Sequence, residues 1–208
     1  AGERHQLRVL SIACGHLREA ELSQAVRDGR VAEYIAFDQD AESLAHVRDH
    51  VCGRNVRVVR GSVGELLLGR LRKFGQFDLV YAAGLYDSLS QKLATRLTTW
   101  MFNATRDGGV TLLTNFLPET AGAGYMEAFM EWNLIYRSAN ELLDTACRIP
   151  AHRIADRNTY VEDNGMIVFV ELRKVLQPLP AIGRPCQPAA HPRPGHNGVK
   201  HKGPTVIS

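Results

Sequence analysis

The chain has 208 residues, 45% of them hydrophobic and 23% charged, with a net charge of +3. That length and apolar content suffice for one domain with a sizeable core. A pI near 8.8 on so small a net charge excludes the strongly basic balance of a nucleic-acid binder or a polybasic membrane anchor.

The first element lies in "RVLSIACGHLREAEL", residues 8–22. Its apolar half, Leu7–Ala13, fits a strand buried on both faces. From Arg18 the spacing turns helical, and a helix is expected over Glu19–Asp28, with Gly15 at the bend between the two. Strands then follow at Tyr34–Phe37, Val56–Val59, Phe77–Ala82 and Val110–Asn115, and helices at Ala41–Val51, Val63–Phe74 and Ser90–Asn103. In the last helix Leu89, Leu93, Leu97 and Met101 recur every four residues along one face. "RDGG", 106–109, is expected to end that helix with its glycines before the next strand. Near the end, "RNTYVEDNGMIVFVELRK", 157–174, reads as two strands around an Asn-Gly hairpin turn. The alternation predicts an α/β, Rossmann-like, doubly wound and mostly parallel sheet ending in an antiparallel hairpin.

Composition changes near Gln177. Seven of the nine prolines lie beyond it, mixed with Gly, His and Lys, so 1–176 is expected to form the domain and 177–208 a disordered tail. Metal binding by the tail histidines (His191, His196, His201) is the lesser expectation, and no metal site is assigned. No apolar run reaches the about 20 residues of a bilayer span, and no signal-peptide core opens the chain. The four cysteines, Cys14, Cys52, Cys147 and Cys186, lack metal-ligand spacing, which argues against zinc and disulfides and for a cytoplasmic setting.

In open parallel sheets ligands bind beyond the carboxyl ends of the strands. There the chain offers a glycine turn at Gly15 before a helix and an acid, Asp38, closing the second strand. A buried strand-end carboxylate is costly without a partner, and a ribose diol is one it suits. A G-x-G-x-x-G dinucleotide fingerprint is absent, since Ala13 and Arg18 stand at its outer positions.

The stretches "VLSIACG", "YIAFDQDAESL", "VRVVRGSV", "FDLVYAAGLYDSL" and "TRDGGVTLLTNF" occur in the order and spacing of class I S-adenosylmethionine-dependent methyltransferases. With the closing hairpin, the chain resembles that family over about residues 7–174. It departs at Ser11, Ala13 and Leu17, where the family usually has an acid and two glycines. The resemblance implies S-adenosylmethionine as cofactor, with Ala13, Cys14 and Gly15 along its methionine part and Asp38 and Gln39 at ribose and adenine. It further implies Gly61, Ser62 and Val63 beneath the adenine, and Tyr81, Ala82 and Ala83 near the sulfonium. "GLYDSL", "NFLP" and "YMEAFMEWNLIYR" are similar to a bacterial subgroup assigned to 3-hydroxy fatty acid methyl ester synthesis. That likeness implies a small-molecule acceptor, an acyl carboxylate, and a role for Glu19 near the donor. Such enzymes usually carry helices ahead of the first strand, so the chain is expected to be a fragment or a minimal member with an open site.

Tyr86, Asp87 and Arg137 are the candidates for orienting the acceptor, Arg137 through its bidentate fork on an anion. Each has a plainer alternative as a structural residue. Tyr125, Trp132 and Tyr136 are candidates for an aromatic wall or simple core. His16 is expected to be an exposed loop residue. Two other functions stay open: a NAD-dependent oxidoreductase of Rossmann type, and a non-catalytic, degenerate methyltransferase-fold binding module.

Overall fold

A computed structural model describes residues 6–51, 55–118, 120 and 134–176. The segment 177–208, Cys52, Tyr125 and Trp132 lie outside the described residues. Short apolar runs separated by turn residues become the strands, and they assemble into one sheet of seven in the order β3-β2-β1-β4-β5-β7-β6. These are β1 (Leu7–Ile12), β2 (Val31–Asp38), β3 (Val56–Arg60), β4 (Phe77–Ala82), β5 (Thr105–Phe116), β6 (Ile154–Val161) and β7 (Ile167–Lys174). The first five run parallel, and β7 pairs antiparallel with both β5 and β6. The expected α/β architecture with its terminal hairpin is thus the architecture observed.

The helices are α1 (Arg18–Leu22), α2 (Gln24–Arg27), α3 (Ala41–His50), α4 (Val63–Leu67), α5 (Gln91–Ala104) and α6 (Ala139–Leu143). Alternate strand residues point to opposite faces, and two apolar clusters result. Leu10, Ile12, Ile35, Phe37 and Val80 pack with α4, α5 and α6. Val9, Tyr34, Ala36 and Tyr81 pack with α1, α2 and α3. Strand order reverses between β1 and β4, and the loops beyond their carboxyl ends form the crevice where a ligand can lie.

Three expectations need correction. The single helix over Glu19–Asp28 is two, because Ser23 turns extended and its hydroxyl accepts from the Val26 amide to start α2. The helix expected over Val63–Phe74 stops at Leu67, and after a left-handed Gly69 (φ 97°) the chain makes only a 3-10 turn at Arg72–Phe74. "RDGG" belongs to β5 rather than to a loop. The partner of Phe77 is Thr105 and that of Leu79 is Val110, so the extra residues form a bulge. Gly109 fills its tightest point, where a Cβ would stand 2.7 Å from the Asp78 carbonyl oxygen.

Candidate functional site

The loop after β1 takes a conformation that side chains resist. Ala13, Gly15 and Leu17 all have φ between 51° and 53°, in the left-handed region. For Ala13 and Leu17 this costs about 1–2 kcal/mol each. Two anchors hold the loop. The Cys14 amide donates to the Phe37 carbonyl at 3.2 Å, and the Gly15 amide donates to Asp38 Oδ2 at 2.8 Å. Asp38 Oδ1 accepts from the Asp40 amide at 2.9 Å. One carboxylate, 9% exposed, therefore ties the β1 loop to the β2 loop. Each oxygen is left with a further lone pair.

Asp40 caps α3 by accepting from the amides of Glu42 and Ser43, and hydrogen bonding from the Ser43 side chain, then from its amide, holds the Asp40 carboxyl below the usual range. The loop after β3 is equally fixed. Ser62 and Glu65 form a reciprocal capping box at the start of α4, and Arg70 Nη1 reaches Glu65 Oε1 at 2.8 Å. The Gly61 amide donates to the Asp38 carbonyl at 2.8 Å. A Cβ on Gly61 would lie 2.9 Å from the Phe37 ring, so a glycine keeps the floor open there.

A cleft of about 310 Å³ opens above these loops. Six expected residues line it: Ala13, Asp38, Gln39, Gly61, Ser62 and Val63. Ile12, Phe37, Gly64, Leu85, Ser88 and Leu89 complete the wall, and the sequence reading missed them. Leu85 precedes and Ser88 ends a 3-10 turn, Tyr86–Ser88. Positions three apart share a face in such a turn, a signal available once that turn is recognised.

Other expected residues are placed differently. Cys14 and Tyr81 point into the cluster with α1–α3 rather than into the cleft. Burial pushes the Cys14 thiol up to about 12, so it stays protonated. The Tyr81 hydroxyl donates to Glu19 Oε1 at 2.5 Å and lies 2.5 Å from the Tyr34 hydroxyl. Burial raises both phenols well above their usual value. Glu19 thus pins α1 to two strands. Ala82 is fully buried in the other cluster, Ala83 is exposed, and neither lines the cleft. Gly15 contributes its amide, as above.

The acceptor candidates change most. Tyr86 is fully buried, with its hydroxyl 2.7 Å from Thr98 Oγ1, so it is core and faces no acceptor. Arg137 is 3% exposed. Its Nη1 donates to the Tyr86 carbonyl and Asn115 Oδ1, Nη2 to the Leu89 carbonyl, and Nε to Gln91 Oε1. Every guanidinium nitrogen is already used, so this arginine braces the β4 loop and cannot fork an anion. Asp87 is buried and its carboxyl is pushed up by desolvation.

His16 is exposed, as expected, and it has company. Its ring lies tilted against His46 of α3 with centroids 4.3 Å apart, and His46 stacks on His50 at 4.1 Å.

A seven-stranded sheet in this order, antiparallel only at β7, with ligand loops after β1, β2 and β3, is the fold of class I methyltransferases. Solved structures of that class superpose on the chain. A Mesorhizobium loti S-adenosylmethionine-dependent methyltransferase matches with TM-score 0.59 and 14% identity over 84% of this chain and 94% of its own. Magnesium protoporphyrin IX methyltransferase from Synechocystis, with bound S-adenosylhomocysteine, gives 0.57 and 14% over 83% and 76%. Human N-acetylserotonin methyltransferase with S-adenosylmethionine gives 0.56 and 13% over 81% and 47%. The chain spans 64% of a matched Bordetella parapertussis structure and 51% of the methyltransferase SibL. No family model matches the sequence, and no curated protein does.

Proposed function

We propose that the chain binds S-adenosylmethionine in the cleft at Ala13, Asp38, Gln39 and Gly61–Val63 and transfers its methyl group to a small-molecule acceptor. The observation that carries this reading is Asp38. A nearly buried carboxylate, fixed by two backbone amides with lone pairs to spare at the cleft, suits a ribose diol. Gly61, which lacks the Cβ that would collide with Phe37, leaves a flat apolar floor for a purine.

When bound, that cofactor supplies a methyl group already activated by its sulfonium. The chain's own residues then supply alignment and exclusion of water, which are worth about 7–11 kcal/mol of barrier when the reacting atoms are held in line. Ile12, Phe37, Leu85 and Leu89 keep the cleft apolar. Tyr86 is withdrawn into the core and Arg137 is engaged, so Asp87 is the ionisable side chain left of the three acceptor candidates. An acceptor that is already anionic needs no base, and a carboxylate fits that condition. With the likeness of "GLYDSL" and "NFLP" to the methyl ester subgroup, this favours an acyl carboxylate.

The test combines titration calorimetry with labelled-methyl transfer. S-adenosylhomocysteine is expected to bind, and Asp38→Ala to weaken it more than tenfold. Label from S-adenosylmethionine is expected in the ester fraction of a 3-hydroxy fatty acid panel. Binding of NAD with none of S-adenosylhomocysteine would establish the oxidoreductase reading instead. Tight binding without transfer to any acceptor would establish a non-catalytic module.

A further inference from the structure

Within the described residues, positive charge gathers around the third strand. Residues 55–76 hold five basic side chains (Arg57, Arg60, Arg70, Arg72, Lys73) and one acid, Glu65, an excess of four against +3 for the whole chain. This segment contains β3, which ends the strand order and has β2 as its one strand partner among the described residues. A groove of about 740 Å³ runs beside it. Residues 57–60 line it together with Arg70, Lys73 and Phe74. Successive strand residues point to opposite faces, so four in a row line a groove only where it follows the strand's edge. A second hollow of about 350 Å³ shares Arg60 and Arg70 with this groove and Gln39, Gly61 and Ser62 with the cleft.

We propose that this groove is a docking site for an extended acidic peptide of a partner protein, which adds a strand to β3. The free edge of β3 offers main-chain donors and acceptors to such a peptide. Arg57, Arg60, Arg70 and Lys73 offer positive charge to its carboxylates. Arg57 faces one internal acid, Glu33 at 3.4 Å, and is 60% exposed; Arg70 pairs with Glu65 and is 46% exposed. Basic residues on an edge strand also guard against aggregation, but a guard requires no groove. Single-stranded nucleic acid fits less well. Its bases need an aromatic face to stack on, and the groove's one lining aromatic, Phe74, already carries the Arg57 guanidinium at 5.3 Å and the Lys73 ammonium at 5.2 Å.

Fluorescence anisotropy with labelled probes decides between these. The probes are a ten-residue peptide alternating Glu or Asp with Val, the same peptide N-methylated at alternate residues, its Lys counterpart, and a ten-nucleotide oligo-dT. The acidic peptide is expected to bind and to weaken as salt rises. N-methylation, which keeps the charge and removes main-chain donors, is expected to cost at least tenfold. Arg57→Ala with Lys73→Ala is expected to cost a similar factor, at an unchanged melting temperature and unchanged S-adenosylhomocysteine affinity. No binding of the acidic peptide, equal binding of its N-methylated form, or tighter binding of oligo-dT would overturn the proposal. The N-methylated probe reads the wild-type chain, so the test does not depend on the variants folding.

Discussion

Arg137 shows how burial decides the role of a charge. Its guanidinium holds together the carbonyls of Tyr86 and Leu89, the Asn115 amide oxygen and the Gln91 side chain, so the turn after β4, the start of α5 and β5 converge on one cation. Arg137→Met keeps most of the volume and strands those acceptors, each worth about 1–3 kcal/mol when left unpaired. At about 2–4 °C per kcal/mol for a domain of this size, the melting temperature is expected to fall by roughly 6 °C or more. An acceptor-gripping arginine would instead leave the melt unchanged and raise KM. The strained loop offers a finer comparison. Ala13→Gly removes a Cβ from a left-handed residue and is expected to stabilise by about 1 kcal/mol, because almost no packing is lost. Leu17 has the same φ but is 1% exposed in the cluster with α1–α3. Leu17→Gly therefore forfeits about 2–5 kcal/mol of core packing and is expected to be net destabilising. Denaturant melts of the two variants should move in opposite directions. The sequence reading identified the bend at Gly15 and the acid at Asp38, since a glycine turn and a strand-end carboxylate are written locally. It could not tell that Ala13 and Leu17 share the glycine's conformation, which the anchors at Phe37 and Asp38 impose from another strand.

At the level of elements, a row of three histidine rings joins the loop after β1 to α3. His46 lies between His16 and His50, and desolvation, then the neighbouring histidines and Arg18, hold its pKa below the usual 6.5, against an opposing pull from Glu21. A folded-state pKa below the unfolded value means that the fold binds fewer protons, so stability rises with pH across that range. The ring contacts are expected to hold above about pH 6.5 and to loosen as the pH falls below it. Amide exchange at Gly15–Leu17 is expected to quicken between pH 7.5 and 5.5 beyond its intrinsic pH dependence, and His46→Gln to remove that excess. A flat profile in the wild type would show that the row does not hold the loop. Three residues at positions 16, 46 and 50 carry no common signal in the sequence, because helix α3 brings only the last two together. Strand positions and the terminal hairpin were legible from apolar runs and Asn-Gly. Helix lengths were not: Ser23 and Gly69 break them through a hydroxyl cap and a left-handed turn, which propensity alone weighs too lightly.

Across the whole molecule the two ends of the sheet are built differently. At the amino ends, charged side chains stitch strand to strand. Arg8 of β1 reaches Glu33 of β2 at 2.6 Å and the carbonyl oxygens of Phe74 and Gln76. Asp78 of β4 accepts from the Arg8 amide and pairs with Arg106 of β5, and Lys174 of β7 donates to the Thr105 carbonyl. At the carboxyl ends stand left-handed residues and the cleft. That polarity places stability at one edge and leaves the other free for a ligand, and it makes the ligand's effect on the fold predictable. A ligand present at a hundred times its Kd stabilises the native state by about 2.7 kcal/mol, which corresponds to a rise of roughly 5–11 °C in melting temperature at this size. S-adenosylhomocysteine is expected to produce such a rise and NAD none. Hydrogen exchange is expected to slow at residues 13–17, 38–40 and 61–64 while Arg8, Asp78 and Arg106 stay as they were. Protection spread evenly over both ends would mean that the whole fold tightens, and a cleft at the carboxyl ends would then not be where the ligand sits.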